Sequence, residues 1–161
     1  MNRKVELSEE NYVLLDEVIH QLCEQGRLLE EQNAMQHGST SVYEHSVNVA
    51  YKSLLLVENF CLPVDKQSLV RGALLHDYFL YDWHEKDGGH RLHGFRHPAF
   101  ALYNASKDFS LNRKERNIIA RHMFPLTVLP PRCLEAWIVC FVDKYCAFSE
   151  TMGDGRIQWE R

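Results

Sequence analysis

SVYEHSVNVAYKSLLLVENFCLPVDKQSLVRGALLHD, residues 41–77, reads as two capped helices that carry polar groups inward. Ser41 and Glu44 fit the Ser-x-x-Glu capping box, in which each side chain satisfies the other's free backbone N–H. A helix is therefore predicted from Ser41 to about Phe60, with Val42, Val49 and Leu56 along one face. Pro63 separates it from a second helix, N-capped by Asp65 and reaching about Tyr81, which directs Leu69, Val70, Ala73 and Leu74 inward. His45 shares its face with Val42 and Val49, so packing that stripe takes an imidazole into the core. His76 and Asp77 stand side by side near the end of the second helix. Their side chains diverge by about 100°, a geometry that lets them bracket one ion or lets the carboxylate bridge two.

The flanking sequence continues in the same style. From Ser8 to about Gln32, Val13, Leu14, Val18, Ile19 and Leu22 recur at helical spacing and predict a packing helix. The stretch 82–96 contains Gly88, Gly89, Gly94 and three histidines; it is too polar and glycine-rich for a helix and reads as a lid or binding loop. His97-Pro98 is expected to start a fourth helix, with Pro at the first helical position, where its missing N–H costs nothing. Asn112 with Glu115 forms another capping box and opens a fifth helix ending near His122. Pro130 and Pro131 precede a last helix to about Glu150, and Gly153 and Gly155 mark 151–161 as a frayed tail. No convincing strand is present. The expected fold is all-α, about six helices in one domain over residues 1–150, consistent with a length of 161 residues.

Composition excludes several classes. A net charge of -4, with Lys and Arg scattered rather than blocked, supplies no field for duplex nucleic acid. The longest apolar run, Ala136 to Val142, falls far short of the roughly 18 residues of a membrane span, so neither membrane association nor a leader is expected and the chain is read as cytoplasmic. The five cysteines form no Cys-x-x-Cys pair and mostly lie among apolar neighbours. They read as small buried hydrophobes, with no disulfide and no catalytic thiol.

Asp143 makes the strongest demand. Its helical neighbours are Val139, Cys140, Cys146 and Ala147, and a carboxylate on such a face costs several kcal/mol unless a cation meets it. Either a bound metal or an Arg or Lys from another helix must sit opposite.

The order of these residues carries more information than any one of them. A His in a capped helix, then Ala73-Leu74-Leu75-His76-Asp77, His97-Pro98, His122 and Val142-Asp143-Lys144, each on its own helix, resembles the HD-domain metal-dependent phosphohydrolase superfamily over about 41–148. The resemblance implies that His45, His76, Asp77 and Asp143 hold one divalent metal. It also implies that His97 and His122 hold a second, bridged by Asp77. Imidazole and carboxylate donors suit Mn, Fe, Co, Ni or Zn, in one or two ions, and not a thiolate zinc site. The chain departs from many two-metal members in reading Tyr78-Phe79-Leu80 after the pair, without their Ile-Gly-Lys. It also lacks a second His beside His122 and the Gly-Tyr-Pro pattern of the branch that cleaves cyclic dinucleotides, so that activity is not indicated.

The activity implied is hydrolysis of a small phosphorylated substrate, an ester or nucleotide, with Asp77 as the catalytic carboxylate that bridges or orients the water. Charge on the phosphoryl oxygens calls for fixed donors. The candidates are Lys86, Arg91, His93, Arg96, Arg121 and Lys144, of which one or two are expected to contact phosphate. Two other classes stand beside this one: a di-iron oxygenase on the same helical ligands, and a ligand-binding module without catalysis. A silent module has no need of a charged Asp143 in an apolar face.

Overall fold

The computed structural model of the chain describes residues 6–37, 40–78 and 93–152. Six α-helices, α1 (Glu9–Gln25), α2 (Val42–Phe60), α3 (Lys66–Leu75), α4 (His93–Asp108), α5 (Arg113–Arg121) and α6 (Leu134–Thr151), carry the architecture. The all-α expectation holds. Among the described residues no helix is long and apolar enough to cross a membrane.

The caps read from sequence form. Ser41 Oγ accepts from the Glu44 N–H at 3.2 Å while Glu44 Oε2 accepts from the Ser41 N–H at 2.9 Å. Asn112 and Glu115 repeat the exchange at α5, and Asp65 accepts from the Ser68 N–H at α3. Each satisfies donors that the helix cannot.

Three boundaries differ from the expectation, and a short ribbon appears where no strand was expected. α1 stops at Gln25, where Gly26 caps it in an extended conformation and lies under the Phe109 ring so closely that a Cβ there would collide with it; the chain resumes as a 3-10 helix, Leu28–Asn33. α3 ends at Leu75 rather than near Tyr81, with His76 as its C-cap. α4 starts at His93, within the stretch read as loop, and Pro98 stands inside it. Proline's own φ is helical wherever it stands, so α4 accommodates it beyond the first turn with the loss of the bond to the carbonyl of Gly94. A two-stranded antiparallel ribbon, β1 (Met35–His37) and β2 (Thr40–Ser41), is too short to show alternation in sequence. Of the cysteines, Cys140 and Cys146 are buried as expected, but Cys61 is exposed. It caps α2 in the left-handed conformation at φ 49°. Burial pushes the Cys146 thiol up to about 12, which leaves it un-ionised and inert at neutral pH.

The helix α3 lies at the centre, packed by α1, α2, α5 and α6. At Gly72 it admits Ile118 of α5 into the space a Cβ would fill. A methyl group there would overpack the contact, typically at about 1–3 kcal/mol. This approach brings the C-terminal ends of α3 and α5 together, and with them His76 and His122, whose ring centroids are 4.9 Å apart.

Candidate metal centre

Two helix ends create the central candidate ligands by the same device. His76 and His122 are the C-caps of α3 and α5. The last carbonyls of a helix lack intrahelical donors, and each imidazole supplies one. Nδ1 of His76 donates to the Ala73 carbonyl at 2.6 Å, and Nδ1 of His122 to the Ile119 carbonyl at 2.8 Å. Since a carbonyl oxygen only accepts, the proton of each neutral ring stands on Nδ1 and leaves a lone pair on Nε2. Both rings are fully buried.

Those Nε2 atoms face carboxylates. Nε2 of His76 lies 3.4 Å from Asp77 Oδ2 and 3.5 Å from Asp143 Oδ1, and it has no hydrogen-bond partner. Nε2 of His45 lies 3.0 Å from the same Asp143 oxygen and 3.9 Å from the same Asp77 oxygen. The four donor atoms all lie within 4.8 Å of one another. Donors about 2.0–2.2 Å from one tetrahedral ion stand roughly 3.3 Å apart, so this spacing, with an orphaned buried Nε2 at its centre, fits a divalent ion.

Asp77 turns its other oxygen to a second set. Its Oδ1 lies 3.2 Å from Nε2 of His97 and 3.3 Å from Nε2 of His122, and the two imidazole nitrogens are 2.8 Å apart. The carboxylate thus joins two ligand groups through its two oxygens. All six residues named from sequence converge here, from α2, α4, α6 and the ends of α3 and α5.

Charge follows the geometry. Burial pulls His45 down, but hydrogen bonds to Asp143 and Glu150 outweigh it and hold the imidazole at about 9. Burial likewise opposes the charge on His76, yet Asp77 and Asp143 keep it well above its ordinary range. Burial would raise both carboxylates; the facing histidines instead hold Asp77 and Asp143 well below theirs. His122 is lowered, by burial and by the neighbouring His76 and His97. Asp143 faces imidazoles, and the Arg or Lys alternative has no counterpart among the described ion pairs.

Two buried carboxylates escaped the sequence reading. Glu150 on α6 accepts from Nδ1 of His45 at 2.8 Å and from Asn48 Nδ2 at 3.2 Å. Its signal was present: Glu150 follows Asp143 by two helical turns on one face. Glu31, in the 3-10 helix, is fully buried, and neither carboxylate oxygen has a hydrogen-bond partner. Burial and the charge of Asp77 push it well above the usual carboxylate range, against the opposing pull of His76. Only its spacing of three from Leu28 hinted at an inward face.

The phosphate candidates part company. Lys86 and Arg91 lie outside the described residues, as does the side chain of His93, whose backbone opens α4. Arg96 is exposed, its guanidinium 5.5 Å from the Phe100 ring centroid. Lys144 is engaged elsewhere: its Nζ donates to the His122 carbonyl at 2.8 Å and to the Cys140 carbonyl at 3.2 Å, clamping the end of α5 to α6. Arg121 lines a groove on the outer face of α5. Tyr78, beside the His-Asp pair, is a strut; its hydroxyl donates to Asp108 at 2.8 Å and accepts from the Arg27 N–H at 2.6 Å.

The model of the HD domain family matches residues 42–147, a span that contains every residue of both ligand groups. No curated protein and no solved structure matches the chain.

Proposed function

This chain belongs to the HD domain family, and from that premise we propose that it is a divalent-metal-dependent phosphohydrolase, cleaving a small phosphate ester or nucleotide with activated water. The carrying observation is that Asp77 presents one oxygen to His45 and His76 and the other to His97 and His122. On this reading residues 1–150 form one HD-type domain acting in the cytoplasm. His45, His76, Asp77 and Asp143 hold one ion, and Asp77, His97 and His122 a second. Divalent metal bound there lowers the pKa of water toward neutrality and neutralises phosphoryl charge.

The chain's own groups prepare that chemistry. The Ala73 and Ile119 carbonyls hold His76 and His122 in the ligating tautomer, and Glu150 does the same for His45. Asp77, kept anionic by its histidines, orients the water between the two groups and accepts a hydrogen bond from it. Lys144 fixes the backbone on which His122 stands. Arg96, exposed one residue before His97, is the described cation best placed to meet substrate phosphate.

Elemental analysis of unstripped protein followed by a phosphate-ester panel with Mn, Co, Ni, Fe or Zn tests the reading. The expected result is one to two metal ions per chain and metal-dependent phosphate release. Inactivity across the panel, with iron-loaded protein consuming oxygen in the presence of an organic substrate, replaces it with the oxygenase reading.

A further inference from the structure

The outward face of α5 carries a second concentration of charge. Arg113, Arg116 and Arg121, with Lys114 and, from the approach to α6, Arg132, line a groove of about 430 Å³. Arg113, Arg116, Asn117 and Ala120 recur at the three- and four-residue spacing of one helix face. Glu115, Ile118, Ile119 and His122 occupy the buried face, so the groove and the metal centre lie on different sides of the helix.

The groove is built rather than merely exposed. Asn117 Oδ1 accepts from the Arg132 N–H at 2.9 Å, which ties the segment before α6 to α5. Lys114 is neutralised by Glu135 at 2.6 Å, and Arg116 leans on the Leu111 carbonyl and Ser106 hydroxyl. Among the described residues no carboxylate lines the groove, and none of its four arginines makes an ion pair. Nη1 of Arg121 is buried without a hydrogen-bond partner. Guanidiniums gathered this way repel one another and leave donors unused unless an anion joins them. In a chain of net charge -4 this local excess is not a consequence of overall composition.

We propose that this groove is a binding site, separate from the metal centre, for a multiply charged phosphate anion, a di- or triphosphate chain. Four arginines converging in one concavity call for more charge than a single phosphoryl group carries. Among the described residues no aromatic side chain lines the groove, so recognition falls on the phosphates. The chain is the recognised group whether it arrives as an inorganic anion or as the tail of a nucleotide.

Calorimetric titration of the metal-replete full chain with inorganic tripolyphosphate, in excess Mg²⁺ to spare the bound metal, tests the proposal. One equivalent should bind, more weakly as salt rises. Arg113→Ala/Arg132→Ala, at two exposed positions, should weaken it at least tenfold with metal content and melting temperature unchanged, and Arg121→Lys should weaken it too. His97→Ala should leave it intact, and a nucleoside triphosphate should bind within a few-fold of the inorganic chain. Binding that survives the arginine substitutions, or that disappears with His97→Ala instead, overturns the proposal. So does a nucleotide that binds where the inorganic chain does not. Tighter binding of a nucleic acid strand, lost with the same arginines, overturns it in favour of a polynucleotide surface.

Discussion

Nε2 of His97 lies 2.8 Å from Nε2 of His122, although the His122 ring has already committed its Nδ1 proton to the Ile119 carbonyl. Two ring nitrogens converge on one oxygen of Asp77, the arrangement of co-ligands around an ion. His97→Ala should therefore remove one of two metal equivalents and leave the His45, His76, Asp77, Asp143 set loaded. Metal-to-protein ratios from elemental analysis check this; loss of all metal would show that the two groups are not separable.

Asp143→Asn should lose the ion of the His45, His76, Asp77, Asp143 set and lower phosphate release at least about 100-fold, since a ligand counts for no less than its supporting contacts. The metal-free variant should melt close to metal-free wild type near pH 9. It should fall behind as pH is lowered, because His45 and His76 have lost the anion that holds them charged. Chelated melts across that range decide it; a variant that keeps its full metal content refutes the assignment.

The pH dependence of the metal-free fold follows from His45. Its imidazole is raised from 6.5 to about 9, so its contribution is complete below about pH 6.5 and drains away as pH rises through about 9. The whole contribution is of order 3 kcal/mol. Metal requires the neutral ring, so metal-dependent stabilisation should grow over the same window. Urea unfolding of chelated and loaded protein between pH 6 and 9.5 measures both trends; chelated protein that gains stability toward pH 9 contradicts the argument.

Glu150→Gln keeps the shape but weakens the acceptor for Nδ1 of His45. Removing such a supporting partner typically costs about 10–100-fold in metal affinity. Competition with a chromophoric chelator gives the number. Unchanged affinity would reduce Glu150 to a packing residue.

Glu31 is raised in the fold, so its stabilising effect is full below its ordinary value near 4.5 and is lost as pH climbs toward its folded value. Glu31→Gln removes that loss. The chelated variant should be more stable than wild type at pH 8 by a few degrees in Tm, with the difference shrinking toward pH 5. A less stable variant at pH 8 would mean that the carboxylate is ionised and held by a cation.

What could be read from sequence is what short-range energetics govern. Ser41 with Glu44, Asp65, and Asn112 with Glu115 announce helix starts because a cap is a contact between residues three apart, and the apolar stripes of α2, α3 and α6 follow from helical pitch. His45 and Asp143 were legible because polar groups on apolar faces are costly unless something meets them, and the set of six was legible through the order of residues that resembles the HD-domain superfamily. Boundaries set by packing were not: α1 ends where Phe109 presses on Gly26, and no local pattern reports a ring arriving from a distant helix. Nor could the chain alone divide the ligands between the two oxygens of Asp77, bring Glu150 to His45 across 105 positions, or turn Lys144 from phosphate to the His122 carbonyl. Lys and Arg look scattered along the sequence, yet Arg113, Arg116, Arg121 and Arg132 meet in one groove. Caps and stripes are written within one or two turns of helix, whereas these pairings depend on how whole helices pack, and Gly72 admitting Ile118 sets that approach.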